Sequence, residues 1–197
     1  MAQQGTRRPV TVGIAGGSAA GKSTFAADLL AALPELRVTC IHQDRYFRKE
    51  RPRHVAPFAS AVHDDHNHPD SFELERFRAD LDAAQADEQW QVVLVEGLLV
   101  LQDDVIRSRL DLKLFVDCRS DERLFRRIKR NLARQGENLD QIATFFLESV
   151  RFRHDEYVEP SRWHADLVLN GAVAPRRGLE VVAVWIRQAV AARPVAA

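Results

Sequence analysis

The stretch VTVGIAGGSAAGKST, Val10–Thr24, decides the fold. Its first part, Val10–Ala15, is a short apolar, β-branched run suited to a buried strand. Its second part, Gly16-Gly17-Ser18-Ala19-Ala20-Gly21-Lys22-Ser23, fits the pattern G-x-x-x-x-G-K-[ST] and leads into residues with helical spacing. A glycine-rich turn between strand and helix lets successive N–H groups point inward at phosphate oxygens. The helix head adds the positive end of its dipole. Lys22 is then placed to reach the β- and γ-phosphates, and the Ser23 hydroxyl to ligate Mg2+. Gly16–Thr24 is expected to cradle a nucleoside triphosphate, ATP or GTP.

Outward from this stretch the chain alternates strand and helix. The helix from Gly21 carries Phe25, Leu29, Leu30 and Leu33 at helical spacing and closes before Pro34. Strands are expected at 37–42 (RVTCIH), 91–101 (QVVLVEGLLVL), 112–117 (LKLFVD) and 165–171 (ADLVLNG). Helices are expected at 71–86 with Ser71 as cap, at 120–136, at 139–158 before Pro160, and at 176–192. Residues 45–71 are rich in Arg, His, Pro and Asp without a period, which reads as a long surface loop of functional type. Strands alternating with helices give βαβ units and a parallel sheet covered on both faces. Residues 1–197 are read as a single domain.

With 197 residues the chain is long enough to bury a substantial core. Its formal net charge is zero, so nothing global points to nucleic acid or a membrane surface, and the basic residues are read locally. Composition sets no oligomeric state. Cys40 and Cys118 each end an apolar run without metal-ligand spacing and read as buried free thiols in a reducing compartment. MAQQGTRRP has no apolar core after its arginines, and no run approaches the ~20 apolar residues of a membrane span. A cytoplasmic protein is expected.

Three further stretches bear on chemistry. Glu96 ends a buried strand at the carboxyl edge of the sheet, where open α/β sheets bind ligands, and is placed to hold Mg2+ opposite Ser23. Asp44 follows the second strand at the same edge. Spacing leaves it open between a turn aspartate and a carboxylate that accepts the proton of an acceptor hydroxyl. In RLFRRIKRNLARQ, Arg123, Arg127, Arg130 and Arg134 share one helical face. That face is either solvated or part of a lid whose arginines neutralise charge on a moving phosphoryl group.

GIAGGSAAGKST, QDRYF, NHPDSF, VVLVEGLLVL, LKLFVD, RLFRRIKRN and HDEYVEPSRWHADLVLNG occur in the order found in the uridine kinase family, which the chain resembles over most of residues 10–171. That family belongs to the P-loop kinases and is related to phosphoribulokinase and nicotinamide riboside kinase. The resemblance implies a P-loop NTPase fold: a five-stranded parallel sheet of order 2-3-1-4-5, helices on both faces, and an arginine-bearing lid at about 119–140. It implies ATP or GTP as donor, Mg2+, and a nucleoside 5′-hydroxyl as acceptor. It makes Asp44 the catalytic carboxylate beside Lys22, with Arg127 and Arg130 as lid arginines. Candidate acceptor residues are Asp44, Tyr46, Phe47, Asn67, His68 and Asp70. Arg45, Arg53, His54, Phe58 and His66, on the same loop, are suited to stack a ring or meet a hydroxyl or carboxylate.

Two departures concern the acceptor. Asn67 stands where the family has a ribose-binding aspartate, with Asp65 and Asp70 nearby as replacement carboxylates. The family's pyrimidine-reading hairpin between the 72–86 helix and the VEG strand is replaced by DEQW, too short for two strands. Glu137 stands where the family often has another arginine. The expected function is ATP-dependent phosphorylation of a small-molecule hydroxyl. A nucleoside comes first, and a non-pyrimidine nucleoside such as nicotinamide riboside, or a non-nucleoside alcohol, is the alternative. The competing class is a regulatory nucleotide-binding protein, but no guanine-reading N-K-x-D stretch is present. Metal binding by His54, His63, His66 and His68 lacks regular ligand spacing.

Overall fold

A computed structural model of the chain describes residues 8–58, 61–135 and 138–193, without the side chains of 134 and 135. Five parallel strands, β1 (Val10–Gly16), β2 (Val38–His42), β5 (Val92–Glu96), β6 (Leu112–Asp117) and β7 (Leu167–Asn170), form one sheet in the order β2-β5-β1-β6-β7. Numbered among themselves they run 2-3-1-4-5, as the resemblance implies. Every residue of β1 and β5 is buried, which accounts for their apolar runs.

Helices cover both faces. On one, α1 (Lys22–Ala31) and α7 (Arg176–Ala192) pack Phe25, Leu29, Ile186 and Val190 against Val10, Val12 and Ile14. On the other, α2 (Leu74–Ala86) and the turns around it pack Phe72, Phe77 and Leu81 against Val93, Val95 and Phe115. Each such fully buried side chain contributes about 1.5–3 kcal/mol. Leu30, expected on the buried face of α1, is 45% exposed, and Ala26 is buried there instead. A short α3 (Asp104–Arg107) precedes β6, and α4 (Ser120–Gln135) and α5 (Leu139–Phe145) follow it. Beyond α5 the chain stays helical through two π turns and α6 (Arg151–Arg153), then passes Pro160 as a 3-10 helix ending at His164.

Three sequence expectations change. The strand expected over 91–101 stops at Glu96. Residues Leu98–Leu101 remain buried but form a turn, held by the Leu99 N–H donating to Gln43 Oε1 at 2.9 Å. Ser71 does not cap α2. It lies in a 3-10 turn, its hydroxyl donates to the Asp65 carbonyl at 2.5 Å, and Glu73 precedes the helix. The 45–71 segment is not an irregular loop: 3-10 turns at Gln43–Tyr46 and Pro69–Ser71 flank an antiparallel hairpin, β3 (Arg53–Val55) and β4 (Val62–Asp64). Three-residue strands, the first bracketed by Pro52 and Pro57, are too short to show a period-2 signal. Between α2 and β5 only a turn is present. Cys40 and Cys118 are free, Cys118 buried and Cys40 half-buried.

Candidate active site

The phosphate loop takes its shape from backbone constraints. Gly16 has φ +142°, and a Cβ there would strike the Val116 carbonyl at 2.3 Å. Gly21, φ +108°, sits at the head of α1 and offers no side chain to cap it, which leaves that end to a ligand. Lys22 Nζ folds back to donate to the Gly17 carbonyl at 3.0 Å. Burial lowers the Lys22 pKa. Glu96 and Asp44 act against that shift, while Arg123 and Arg130 add to it. These opposing charges converge on one ammonium, in the arrangement expected of a group that meets a polyanion.

β1 lies between β5 and β6, so the end of β5 is carried to the head of α1. Glu96, 4% exposed, accepts from Ser23 Oγ at 3.1 Å and from His42 Nδ1–H at 2.9 Å through the same Oε1. His42 and Glu96 are register partners of β2 and β5. The sequence reading missed His42, and the available signal was its position at the end of a strand reaching the same sheet edge as Glu96. Asp44 lines the same cleft and makes no hydrogen bond or ion pair with any described residue.

The basic helix α4 divides its arginines differently from the expected single face. Arg123 is buried, donating through Nε to the Cys118 carbonyl at 3.0 Å with its guanidinium over Phe146. Arg127 Nη1 donates to Ser18 Oγ of the phosphate loop at 3.2 Å. Arg130 lines the cleft beside Asn131. Arg126, not selected from the sequence, lines the cleft and donates to the Gly171 and Ala172 carbonyls, each at 2.7 Å. Glu137 and the Arg134 side chain lie outside the described residues.

The cleft, about 1490 Å3, runs from Gly171–Pro175 past Ser18–Thr24 to an end walled by Phe47, His63, His66, Asn67, Phe72 and Phe145. Of the acceptor candidates, Asp44, Phe47 and Asn67 line it. Tyr46, His68 and Asp70 do not. Tyr46 turns into the core, its ring on Phe77 and its hydroxyl donating to Asp80 at 2.7 Å. His68 stacks edge-on to Tyr157 and accepts from the Asp70 N–H, while the Asp70 carboxylate faces solvent. Asp65 is fully buried against Arg153 at 2.6 Å and accepts the Asn67 and His68 N–H groups, so it shapes the turn. The Asn67 Nδ2 is buried without a hydrogen-bond partner among the described residues.

His66 lines the cleft with its Nδ1–H donating to the Asp64 carbonyl. Burial, then Arg51 and Arg127, lower its pKa. His63, read from the sequence only as one histidine of a cluster, donates to Glu148 at 2.8 Å. His54 meets the Glu148 carbonyl, and Phe58 packs on Phe152 while 86% exposed. Phe145 was not selected either. Its only sequence signal is an aromatic pair at the end of an amphipathic helix.

Residues 62–175, more than half of the chain, match the model of the phosphoribulokinase / uridine kinase family. A uridine kinase of Clostridium botulinum strain Okra is 31% identical over 185 residues, covering 83% of this chain and 88% of the relative. A uridine kinase of Brevibacillus brevis is 31% identical over 200 residues, covering 90% and 92%. Among solved structures, a candidate fructose transport system kinase of Silicibacter sp. TM1040 superimposes with TM-score 0.64 at 17% identity, covering 82% of this chain and 89% of that one. A candidate uridine kinase of Bacillus stearothermophilus gives TM-score 0.51 at 16% identity, covering 82% and 88%. These two share the fold. Phosphate loop, strand order and sequence likeness agree: this chain belongs to the phosphoribulokinase / uridine kinase family and is a phosphotransferase acting on a hydroxyl.

Proposed function

We propose that this enzyme transfers the γ-phosphoryl group of ATP or GTP to the 5′-hydroxyl of a nucleoside, in the manner of its uridine kinase relatives. Asp44 takes the hydroxyl proton as the new O–P bond forms and the bond to the leaving nucleoside diphosphate breaks. Lys22 and the loop Gly16–Thr24 hold the phosphates. Ser23 and Glu96, a hydroxyl and a carboxylate 3.1 Å apart at a strand end, suit a hard divalent cation, and Mg2+ bound there would neutralise charge on the β- and γ-oxygens. Arg127 and Arg130 meet the developing charge from the lid, about residues 119–140. A single domain in the cytoplasm is the matching setting. Among the described residues no helix is long and apolar enough to cross a membrane.

The observation that carries this reading is Asp44, without a hydrogen bond or ion pair among the described residues, in the cleft that also holds Lys22, Ser23 and Glu96. A second reading, a non-pyrimidine nucleoside or a non-nucleoside alcohol as acceptor, is favoured by the bare turn between α2 and β5 and by Asn67 in the cleft wall. A coupled assay of ADP release over uridine, cytidine, purine nucleosides, nicotinamide riboside and simple alcohols decides between them. Exclusive turnover of uridine and cytidine supports the first reading. A kcat/KM maximum elsewhere supports the second, and no turnover with any acceptor overturns both.

A further inference from the structure

Phe145 stands where three elements meet. His63 of β4 and His66 just beyond it face its ring at 5.4 and 5.9 Å, with interplanar angles of 76° and 89°. The Arg127 guanidinium of α4 lies over the same ring at 5.2 Å. All four side chains line the cleft. Arg127 continues to Ser18 of the phosphate loop through a 3.2 Å hydrogen bond. An unbroken series of contacts therefore joins the β3–β4 hairpin, at the acceptor-side end, to the phosphate loop. The hairpin and the residue just after it are fastened to the helical segment that carries Phe145 by the His63–Glu148 pair at 2.8 Å and the Asp65–Arg153 pair at 2.6 Å.

A guanidinium over an aromatic face is held by the ring quadrupole, and imidazole edges against the same ring restrict its tilt. Changing what packs on the histidine side changes where the ring, and with it the guanidinium, rests. Coupling of this kind needs physical contact, which the ring supplies on both sides. We propose that Phe145 is a positioning residue that makes the placement of Arg127 over the phosphate loop depend on an acceptor filling the His63–His66 end of the cleft. Phosphoryl transfer then waits for the acceptor, and loss of the phosphoryl group to water is held down when the acceptor is missing. This rests on the reading above that Arg127 serves the moving phosphoryl group.

The test uses the full chain with ATP, Mg2+ and whichever of uridine, cytidine, guanosine, nicotinamide riboside or glycerol it turns over best. Phe145→Leu is expected to lower kcat about 10-fold, within the usual range of site-to-site coupling, with the affinity for a non-hydrolysable ATP analogue within about twofold of wild type. It should also raise the ratio of ATP hydrolysis to acceptor phosphorylation. Phe145→Tyr, which keeps the ring, should restore kcat. Combined with Arg127→Ala, Phe145→Leu should add little, since both remove one contact series. Full additivity with Arg127→Ala, or damage from Phe145→Tyr equal to that from Phe145→Leu, overturns the proposal while leaving the role of Arg127 standing. Wild-type kcat in Arg127→Ala overturns that role and the proposal with it. If Phe145→Leu does not fold, His66→Leu, which alters the ring from its other side, is combined with Arg127→Ala in the same cycle, and full additivity again overturns the proposal.

Discussion

Glu96 Oε1 accepts the Ser23 hydroxyl at 3.1 Å and the His42 ring N–H at 2.9 Å, so one buried oxygen ties the head of α1 to the ends of β2 and β5. Two donors meet on one carboxylate oxygen, and the same carboxylate is the one proposed above to hold a cation. Glu96→Gln removes the charge at nearly constant shape. The Mg2+ concentration for half-maximal rate should rise about tenfold or more, because a hard divalent ion is held mainly by anionic oxygen. A Mg2+ titration of initial rates measures this, and an unchanged midpoint would remove Glu96 from the metal site.

Lys22 is polar, half-buried and bonded only to the Gly17 carbonyl among described partners. Lys22→Ala should abolish turnover with a melting temperature close to wild type, since the substitution takes away a phosphate partner and little core volume. Near-normal kcat in this variant would contradict the assignment of the phosphate loop.

Asp44 is exposed and makes no hydrogen bond or ion pair among the described residues. Asp44→Asn should lower kcat by about 10²–10⁴, the usual range for a general base, with ATP affinity within about twofold of wild type. The reverse pattern, weakened ATP binding at preserved kcat, would move Asp44 to the metal site.

His154 is pushed down to about 3, first by burial and then by the charges of Arg123 and Lys22. Unfolding frees it to bind a proton near its usual value of about 6.5, so the unfolded state holds more protons between these two values. Stability from this group is complete above pH about 6.5 and is lost as pH falls toward 3, by about 1 kcal/mol per pH unit. Melting curves at pH 7 and pH 5 should show a drop that shrinks in His154→Gln. An equal drop in both proteins would assign the acid sensitivity elsewhere.

Local rules were enough to determine much of this protein. The phosphate loop is legible because it depends on glycines at particular φ angles and on a strand and helix immediately beside it. The buried strands β1, β5 and β6 announce themselves through continuous apolar runs, Lys22 and Ser23 are read from the phosphate-loop pattern and Glu96 from its strand end, while Asp44 stayed open on spacing and was singled out by the family resemblance. The hairpin β3–β4 was illegible because two prolines and three-residue strands leave no period to read. Tertiary structure alone turned Tyr46 into the core, spent Asp65 on Arg153 and split the arginines of α4 between burial and the cleft. Tertiary structure also brought His42 to Glu96 and placed His63, His66 and Arg127 around Phe145. These contacts join residues about 20 to 90 positions apart in the chain, and no periodicity or turn chemistry encodes them. They follow from parallel register and from the packing of one helical segment against a hairpin, which exist only once the sheet has formed.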